Sequence, residues 1–590
     1  MAGKKPAGRK PALEVIGDNV AEPLTRRDRE TLADAVDSYR DGSTTRRGFM
    51  RTSAAFGLSM TSLSAVLAAC GASPNAGSGG GGKSGGGKSA KLAIGVNADA
   101  DTVDPQAFKT IPGYYMLANL YDQLIDLQYR AEKSGLVADG TTVAPMVART
   151  MKVSADRRTV TFMLDPRATF SDGSPITADD VKYTFQRGIE GAQYTKTVMG
   201  MLTLSSADHI KIVDPHTVTF QLDQPNPMTE RLLNLQVMSI QSKKVGEQHA
   251  TAKSKWADDY WRGNIYGNSA YTLKSWKRGE GWELAPSAKY YRAGLPKNAG
   301  LVFRVISDPQ ERLNLLTSGT LHVAYDVPAK DAAAIRDKGD GRSKLVSSPS
   351  PWSFGLAFNN GQAPFKDKRV RQALSYAIPY DQIINDVMHG LARPAKSMVP
   401  PGMPTHDPSA WHYDTNLQKA KQLLQAAGHA NGFKSSIDIL IGRPEDEQAA
   451  TLIQASFRQI GVDVDVRKLA EAEYQDKRNN ASSPMQMVEF YSWVTDPFYH
   501  MFFNLFSKNT FTNSSRYSNP KVDALITKGL YEPDQAKRES MSRQAQALII
   551  DDAPWAWLFA RDFFVPTAAN LQDFPLWPDQ NPRFYWSHLS

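Results

Sequence analysis

The chain has 590 residues, of which 41% are hydrophobic and 10% aromatic. At roughly 150 residues per domain, this allows two or three globular domains. The net charge of +8 is mild for this length, and nucleic-acid binding needs basic residues clustered on one face, so we expect no nucleic-acid partner. A single cysteine excludes internal disulfide bonds.

Near the N-terminus, a basic patch precedes an uncharged stretch that ends at the only cysteine. Residues 45–51 read TRRGFMR, and residues 52–69 carry no charge before Cys70. A basic patch, a moderate apolar core and small residues before a cleavage point are typical of a secretion signal. The alternative is a membrane anchor, but the stretch 54–69 is polar in places and shorter than the roughly 20 residues that a bilayer span needs.

The same segment resembles two known signals. Arg46 and Arg47 stand in a pattern that resembles the twin-arginine export signal, and the Leu-Ala-Ala-Cys ending resembles a lipoprotein cleavage box. The resemblance implies that residues 1–69 are removed and that Cys70 carries lipid. It also implies a location in the periplasm or at the outer face of the cytoplasmic membrane. Twin-arginine export carries folded cargo, which fits the missing disulfides.

Residues 70–90 are rich in glycine and serine and predict a flexible linker. They include two formal matches to the phosphate-binding pattern GxxxxGK[ST], at 77–84 and 82–89. A working phosphate loop needs a strand before it and a helix after it, and neither is predicted here. We therefore expect no nucleotide site and no cofactor.

The first half of the body alternates strands and turns. A first strand is predicted at 91–96, and hairpins are predicted at 153–164 and 210–222. Between the hairpins, Thr177 is placed to cap a helix over 177–185.

The second half has longer helical periodicity. A strand, a helix and a strand in succession are typical of a βαβ unit with parallel strands, so we expect two α/β lobes. The predicted elements are helices at 367–377 and 379–390, a helix capped by Asp414 and closed by Gly428, a strand at 436–441, a helix at 447–460 and a strand at 462–466.

Residues 169–181, TFSDGSPITADDV, resemble the signature F-x-D-G-x-P-x-T-A-x-D-V of the extracellular solute-binding proteins of family 5. These are the oligopeptide- and dipeptide-type receptors of ABC importers. Further matches lie at 318–322, 358–374 and 419–428, and the resemblance covers most of residues 91–590. Departures from the usual family pattern at 267–271 and 377–380 suggest a divergent branch.

The resemblance implies an α/β, two-lobe periplasmic-binding-protein fold of type II, of the large cluster with an extra subdomain, in which ligand binds in a cleft between the lobes. Lobe I is expected at 91–348 with the extra subdomain, lobe II at 349–557, and a return to lobe I at 558–590. The crossings are placed near Ser348 and Trp557. We expect a monomer.

Two charged residues are candidates for ligand anchors. Peptide binders of this family hold the ligand ammonium with an aspartate shortly after a tryptophan, which the resemblance places at Asp496 after Trp493; the alternative is a turn aspartate before Pro497. Arg443 lies between a predicted strand and helix and is suited to a ligand carboxylate, or it is a solvated loop arginine.

Several aromatic residues lie in segments that would face the cleft, where ligand pockets are mostly apolar with few placed polar groups: Tyr114, Tyr115, Tyr491, Trp493 and Trp352. Each of them could instead be a core residue. The sequence carries no HExxH, CxxC or GxSxG pattern, and its histidines lack metal-ligand spacing. We therefore expect neither an enzyme nor a metal site.

The predicted function is that of a substrate-binding lipoprotein of an ABC importer. It captures a peptide or peptide-like solute by lobe closure and delivers it to a permease and ATPase complex. The same fold could instead bind an opine, glutathione, a nickel chelate, haem or an oligosaccharide. A further alternative is a periplasmic receptor or chaperone without a transport role.

Overall fold

The structure is a computed structural model that describes residues 90–132, 135–191, 193–509, 512–576 and 583–590. The signal arginines Arg46 and Arg47, the cysteine Cys70 and almost all of the Gly/Ser linker lie outside the described residues. Within the described ranges, no helix is both long enough and apolar enough to cross a membrane.

The strands and helices are numbered in chain order. The strands are β1 (Leu92–Val96), β2 (Ile125–Glu132), β3 (Gly135–Pro145), β4 (Ala148–Val153), β5 (Thr159–Leu164), β6 (Ile210–Asp214), β7 (Thr217–Gln221), β8 (Tyr271–Lys277), β9 (Gly281–Pro286), β10 (Leu301–Val305), β11 (Val323–Ala324), β12 (Ser343–Phe358), β13 (Ala392–Pro394), β14 (Phe433–Leu440), β15 (Val462–Leu469), β16 (Met485–Tyr491), β17 (Trp555–Ala568), β18 (Leu571–Gln572) and β19 (His588–Leu589). The helices are α1 (Ile111–Leu120), α2 (Ala178–Glu190), α3 (Gln193–Leu202), α4 (Thr229–Leu233), α5 (Lys243–His249), α6 (Asp258–Trp261), α7 (Pro309–Thr317), α8 (Ala329–Lys338), α9 (Lys368–Tyr376), α10 (Tyr380–Gln382, continued by a π turn at Ile383–Val387), α11 (Leu417–Ala426), α12 (Pro444–Arg458), α13 (Glu471–Asn480), α14 (Pro497–Leu505), α15 (Pro520–Tyr531) and α16 (Gln535–Asp552), with short 3₁₀ turns at Ala207–His209 and Gln236–Met238.

The two hairpins predicted from the sequence are confirmed as β4–β5 and β6–β7. They join into one four-stranded antiparallel sheet in the order β4-β5-β7-β6. One predicted detail is wrong: α11 is capped by Asn416 and not by Asp414. The Asn416 side chain accepts the Lys419 backbone N–H at 2.9 Å, so the helix begins two residues later than the acidic cap would place it.

The family signature forms a turn and a helix start. Gly173 has φ +92°, a left-handed conformation that glycine adopts without strain. Asp172 accepts the Ser174 backbone N–H at 2.8 Å, which closes the turn. Asp180 then accepts the backbone N–H of Thr177 at 2.9 Å and its hydroxyl at 3.0 Å, at the start of α2. The signature therefore fixes local backbone.

A large mixed sheet runs through the body in the order β15-β14-β16-β12-β17-β11-β1-β10-β9-β8, with β13 added beside β17. The predicted βαβ unit is confirmed, since β14 and β15 are parallel and α12 connects them. At the other end, β1 lies parallel to β10 and β11. The buried hydrophobic side chains form two main cores, one that includes residues of β1 and β10 and one that includes residues of β14 and β15, in keeping with a two-lobe fold.

The long strands β12 and β17 pair with each other in the central part of this sheet. Their register shifts between Pro349 and Trp352, opposite Asp562 and Arg561. They approach closely at Gly355, where a Cβ would lie 2.9 Å from the Ala556 carbonyl oxygen. The predicted lobe boundaries fall within these two strands and remain a prediction.

A buried ion pair ties α2 to the segment before α1. The Arg187 side chain is 3% exposed and Asp104 is fully buried, and two nitrogens of the guanidinium contact the carboxylate at 2.5 and 2.8 Å. Asp258 adds a third contact at 2.7 Å. Loss of Asp104 would remove the buried counter-charge of Arg187 and leave the partly exposed Asp258 to balance a buried cation.

We expect Asp104→Asn to lower the free energy of unfolding by about 3–5 kcal/mol. Urea unfolding followed by circular dichroism measures this as a lower midpoint. The matched control is Asp259→Asn, which removes an exposed carboxylate 3.6 Å from Arg262 and should change stability by less than about 1 kcal/mol. Equal midpoints for the two variants would contradict a stabilising role for the buried pair.

Candidate ligand-binding cleft

The register of three central strands brings three candidate side chains into one row. Tyr491 on β16 lies opposite Trp352 on β12, and Trp352 lies opposite Arg561 on β17. Side chains that face each other across neighbouring strands project to the same face of a sheet. The Trp352 and Tyr491 rings are 5.8 Å apart, and the Arg561 guanidinium carbon lies 4.9 Å from the Trp352 ring and 4.5 Å from the Phe564 ring.

Arg561 is a candidate functional residue that the sequence analysis does not single out. Its Nε is buried without a hydrogen-bond partner, and its guanidinium forms no ion pair with the residues the structure describes. Two aromatic rings hold it by cation–π contacts. The available signal was a pair of charges, Arg561-Asp562, inside an otherwise apolar strand.

Beside this row lies a group of charges in lobe II. Arg443, directly before α12, pairs with Glu489 and lies 4.0 Å from Asp446. Glu489 is two residues before Tyr491 on β16 and therefore shares its face. Burial raises the pKa of Asp446 to about 7, with Arg443 opposing the shift and Glu489 adding to it. Arg443 is thus engaged by carboxylates of the protein itself.

Lobe I contributes Asp326 and two tyrosines. Tyr115 on α1 stacks on Tyr325, with the ring centroids 4.5 Å apart, and Asp326 follows Tyr325 with φ +53°. The Asp326 side chain is exposed, yet desolvation by the surrounding protein raises its pKa, while Arg312 and Arg561 oppose the shift. Strand β11, which Asp326 follows, pairs with β17 at Val323 and Thr567, and β17 carries Arg561.

Trp493 and Tyr114, predicted to face the cleft, lie together in an aromatic cluster. The Trp493 ring is 5.6 Å from each of the rings of Phe108, Tyr114 and Tyr194. Tyr114 is fully buried, whereas Trp493 keeps part of its surface exposed. These rings come from the segment before α1, from α1, from α3 and from the segment after β16, so the cluster joins parts of the chain far apart in sequence. A ligand contact by these residues remains a prediction.

Asp496 is fully buried and has four partners within the protein. It caps α14 by accepting the backbone N–H of Phe498 at 2.9 Å and of Tyr499 at 3.2 Å. Its carboxylate also contacts Arg538 at 2.7 Å and Arg231 at 2.9 Å. Burial alone would raise the pKa of Asp496, but the two arginines outweigh it and hold the pKa below its usual value. This geometry gives Asp496 a structural role, and its predicted role as ligand anchor is untested.

Two further concavities lie away from this cleft. One, of about 710 Å³, lies between α2 and α5, and the other, of about 490 Å³, lies beside α12. None of the residues predicted to bind ligand lines either of them. The charged and aromatic side chains that converge from both lobes are thus found at the centre of the large sheet.

Two α/β lobes are joined by a pair of long strands, and charges and aromatic rings gather where those strands pair. This arrangement defines a two-lobe solute-binding protein. The sequence comparison agrees with this class. Residues 142–513 match the model for bacterial extracellular solute-binding proteins, family 5 Middle, and the chain belongs to this family.

Similar proteins share most of their length with this chain. It is 27% identical over 492 residues to the probable D,D-dipeptide-binding periplasmic protein DdpA of Escherichia coli K12, covering 82% of this chain and 91% of that protein. It is 25% identical over 508 residues to the glutathione-binding protein GsiB of Shigella dysenteriae, covering 84% of this chain and 93% of that protein. The dipeptide-binding protein of Pseudoalteromonas sp. SM9913, solved with Met-Leu, has a similar fold with a TM-score of 0.74 at 22% identity, covering 85% of this chain and all of that one.

We expect Asp496→Asn to lower the free energy of unfolding by about 3–5 kcal/mol at neutral pH, because Arg538 and Arg231 lose their buried counter-charge. The folded pKa of Asp496 is depressed. Its contribution is therefore complete above the unfolded pKa of about 3.9 and is lost as the pH falls through the folded pKa. Urea midpoints measured from about pH 3 to pH 8 should converge with those of the wild type at the acid end.

The control for this series is Asp465→Asn, which replaces an exposed aspartate on β15. Its midpoints should follow the wild type at every pH. An Asp496→Asn protein with wild-type midpoints at neutral pH would show that the two ion pairs do not stabilise the fold.

Proposed function

We propose that this protein is the substrate-binding component of an ABC importer and that it captures a peptide or peptide-like solute between its lobes. The family and the names of the similar proteins support the general role. The observation that carries the proposal for this cleft is Arg561, an arginine without an ion-pair partner among the described residues, stacked beside Trp352 and near the carboxylate of Asp326. A cation, an anion and an aromatic wall match the parts of a small peptide.

Lobe closure would follow from the way the two lobes are joined. The hinge we propose is the place where β12 and β17 shift register, between Pro349 and Trp352. Because this shift lies beside Trp352 and Arg561, a ligand bound there would contact the hinge and both lobes together. Closure excludes water from the cleft, which strengthens the charged contacts inside it. The closed protein, acting as a monomer, then delivers the solute to the permease and ATPase complex.

The first test is direct binding. Isothermal titration calorimetry with Met-Leu, D-alanyl-D-alanine and glutathione should show one ligand bound per chain for at least one of the three. Mass spectrometry of the same samples after prolonged incubation should recover that ligand intact, because we propose binding and release without turnover. Consumption of the ligand, or no binding of any of the three, would contradict the proposed function.

Replacement of one aromatic wall residue tests the place of binding. Truncation of a central interface tryptophan commonly costs 2 kcal/mol or more, so we expect Trp352→Leu to weaken the affinity by about 30-fold. The control is Trp276→Leu, which changes a tryptophan on β8 that packs under Arg278. Equal affinities for wild type and Trp352→Leu would place the ligand elsewhere.

Glutathione is the alternative ligand that a specific observation favours. Several similar proteins are named as glutathione-binding proteins, at 24–25% identity. Glutathione is a peptide-like zwitterion with an additional carboxylate, so Arg561 and Arg443 could both contribute to its recognition. A preference for glutathione over both dipeptides in the same titrations would favour this alternative.

We also propose that the protein is exported by the twin-arginine route through Arg46 and Arg47 and is then held at the membrane by lipid on Cys70. The pattern of residues 45–51 and the small residues before the cysteine support this. The Gly/Ser linker would give the lobes freedom to reach the permease.

We expect Cys70→Ser to move the exported protein from the membrane fraction to the soluble fraction of the host. Labelling with a radioactive fatty acid should mark the wild type and the control Ser73→Ala, and should leave Cys70→Ser unlabelled. Lipid labelling of Cys70→Ser would overturn the anchor assignment.

A further inference from the structure

We propose that Asp326 and Arg561 are the two charged anchors of the cleft, with Asp326 receiving the ligand ammonium and Arg561 the ligand carboxylate. The preferred ligand is then a short zwitterion with both ends free, such as a dipeptide. This inference rests on the proposed function, because it assigns the contacts of the same site.

Arg561 has the geometry of a preorganised carboxylate receptor. The Trp352 and Phe564 rings, 4.9 and 4.5 Å from the guanidinium carbon, restrict the orientation of the planar group. The buried Nε has no acceptor among the residues described. A buried donor without a partner costs free energy that a ligand oxygen can restore. A planar guanidinium can donate two parallel hydrogen bonds to a carboxylate, which a lysine cannot do.

Asp326 is held in place by its backbone, and its carboxylate is left available. It has a left-handed φ of +53°, a conformation that aspartate tolerates better than most residues. The buried Arg312 fixes this turn by donating to the carbonyl oxygens of Tyr325 at 2.9 Å and of Asp326 at 2.7 Å. No described residue donates a hydrogen bond to the Asp326 carboxylate or forms an ion pair with it.

The other charged candidates are engaged within the protein. Asp496 is fully buried between Arg538 and Arg231, and Arg443 pairs with Glu489. A ligand charge at either place would have to break an existing ion pair. The new contact would then only replace one that the protein already forms. At Asp326 and Arg561 it would add a contact where none is formed.

The proximity of the two anchors limits the length of the ligand. Asp326 follows β11, which pairs with β17 at Val323 and Thr567, and Arg561 lies on that same strand β17. A ligand that satisfies both must carry its ammonium and carboxylate close together. Free dipeptides meet this condition best, because each further residue of an extended peptide adds about 3.3–3.6 Å between the charged ends.

The test compares free and end-blocked dipeptides on matched variants. The probes are Met-Leu and D-alanyl-D-alanine, each also as the N-acetyl and the C-amide derivative, with affinities measured by titration calorimetry. For the wild type, blocking either end should weaken binding on the order of 100-fold, because it leaves a charged protein group without its partner. Asp326→Asn should bind the free dipeptide more weakly than the wild type does, and N-acetylation of the dipeptide should no longer lower the affinity. For Arg561→Met, amidation of the dipeptide C-terminus should no longer lower the affinity.

Further variants separate these anchors from the alternatives. Arg561→Lys keeps the charge without the planar fork and should give intermediate affinity. Asp337→Asn and Arg458→Met, which replace exposed side chains outside the cleft, should match the wild type. Thermal unfolding of each variant, followed by circular dichroism, verifies that the protein compared is folded.

Each outcome bears on one of the two proposals. If the wild type binds neither free dipeptide nor glutathione, the proposed function fails and this inference with it. If the wild type binds a dipeptide but the variants keep wild-type sensitivity to both blocking groups, only the anchor assignment is overturned. If N-acetylation of the dipeptide no longer lowers the affinity of Asp496→Asn, but still lowers that of Asp326→Asn, then the ligand ammonium binds at Asp496.

Discussion

The pairing of β12 with β17 is the interaction on which the rest of the structure depends. These two strands lie in the middle of the large sheet. Backbone hydrogen bonds along them set which side chains share a row, and so they determine that Trp352, Arg561 and Tyr491 face the same space. The same strand pair therefore organises the large sheet and positions the side chains of the candidate site.

Much of the fold could be predicted because its signals are local. Period-two runs gave both hairpins, a strand–helix–strand succession gave the parallel pair β14–β15, and residues 169–181 carried the family signature. The signature was informative for the fold because it encodes a glycine turn and a helix cap, which are short-range features. The incorrect cap of α11 shows the limit of this reasoning, since Asp414 and Asn416 are both good capping residues.

The candidate site was harder to predict from the sequence than the fold, because its contacts join distant parts of the chain. Trp352 and Tyr491 were predicted as aromatic candidates, and the structure brings them together. Arg561 carries no motif, and its place beside Trp352 follows only from strand register. Asp496 was selected by its position after a tryptophan, but its partners Arg231 and Arg538 are 265 and 42 residues away. Pairing at such separations leaves no pattern in a single sequence.

One consequence follows from the group of carboxylates around Arg443. Asp446 has a pKa of about 7 in the folded protein, well above that of an aspartate in an unfolded chain. Between these two values the folded form holds a proton that the unfolded form releases, so the contribution of Asp446 to stability decreases as the pH rises through this window.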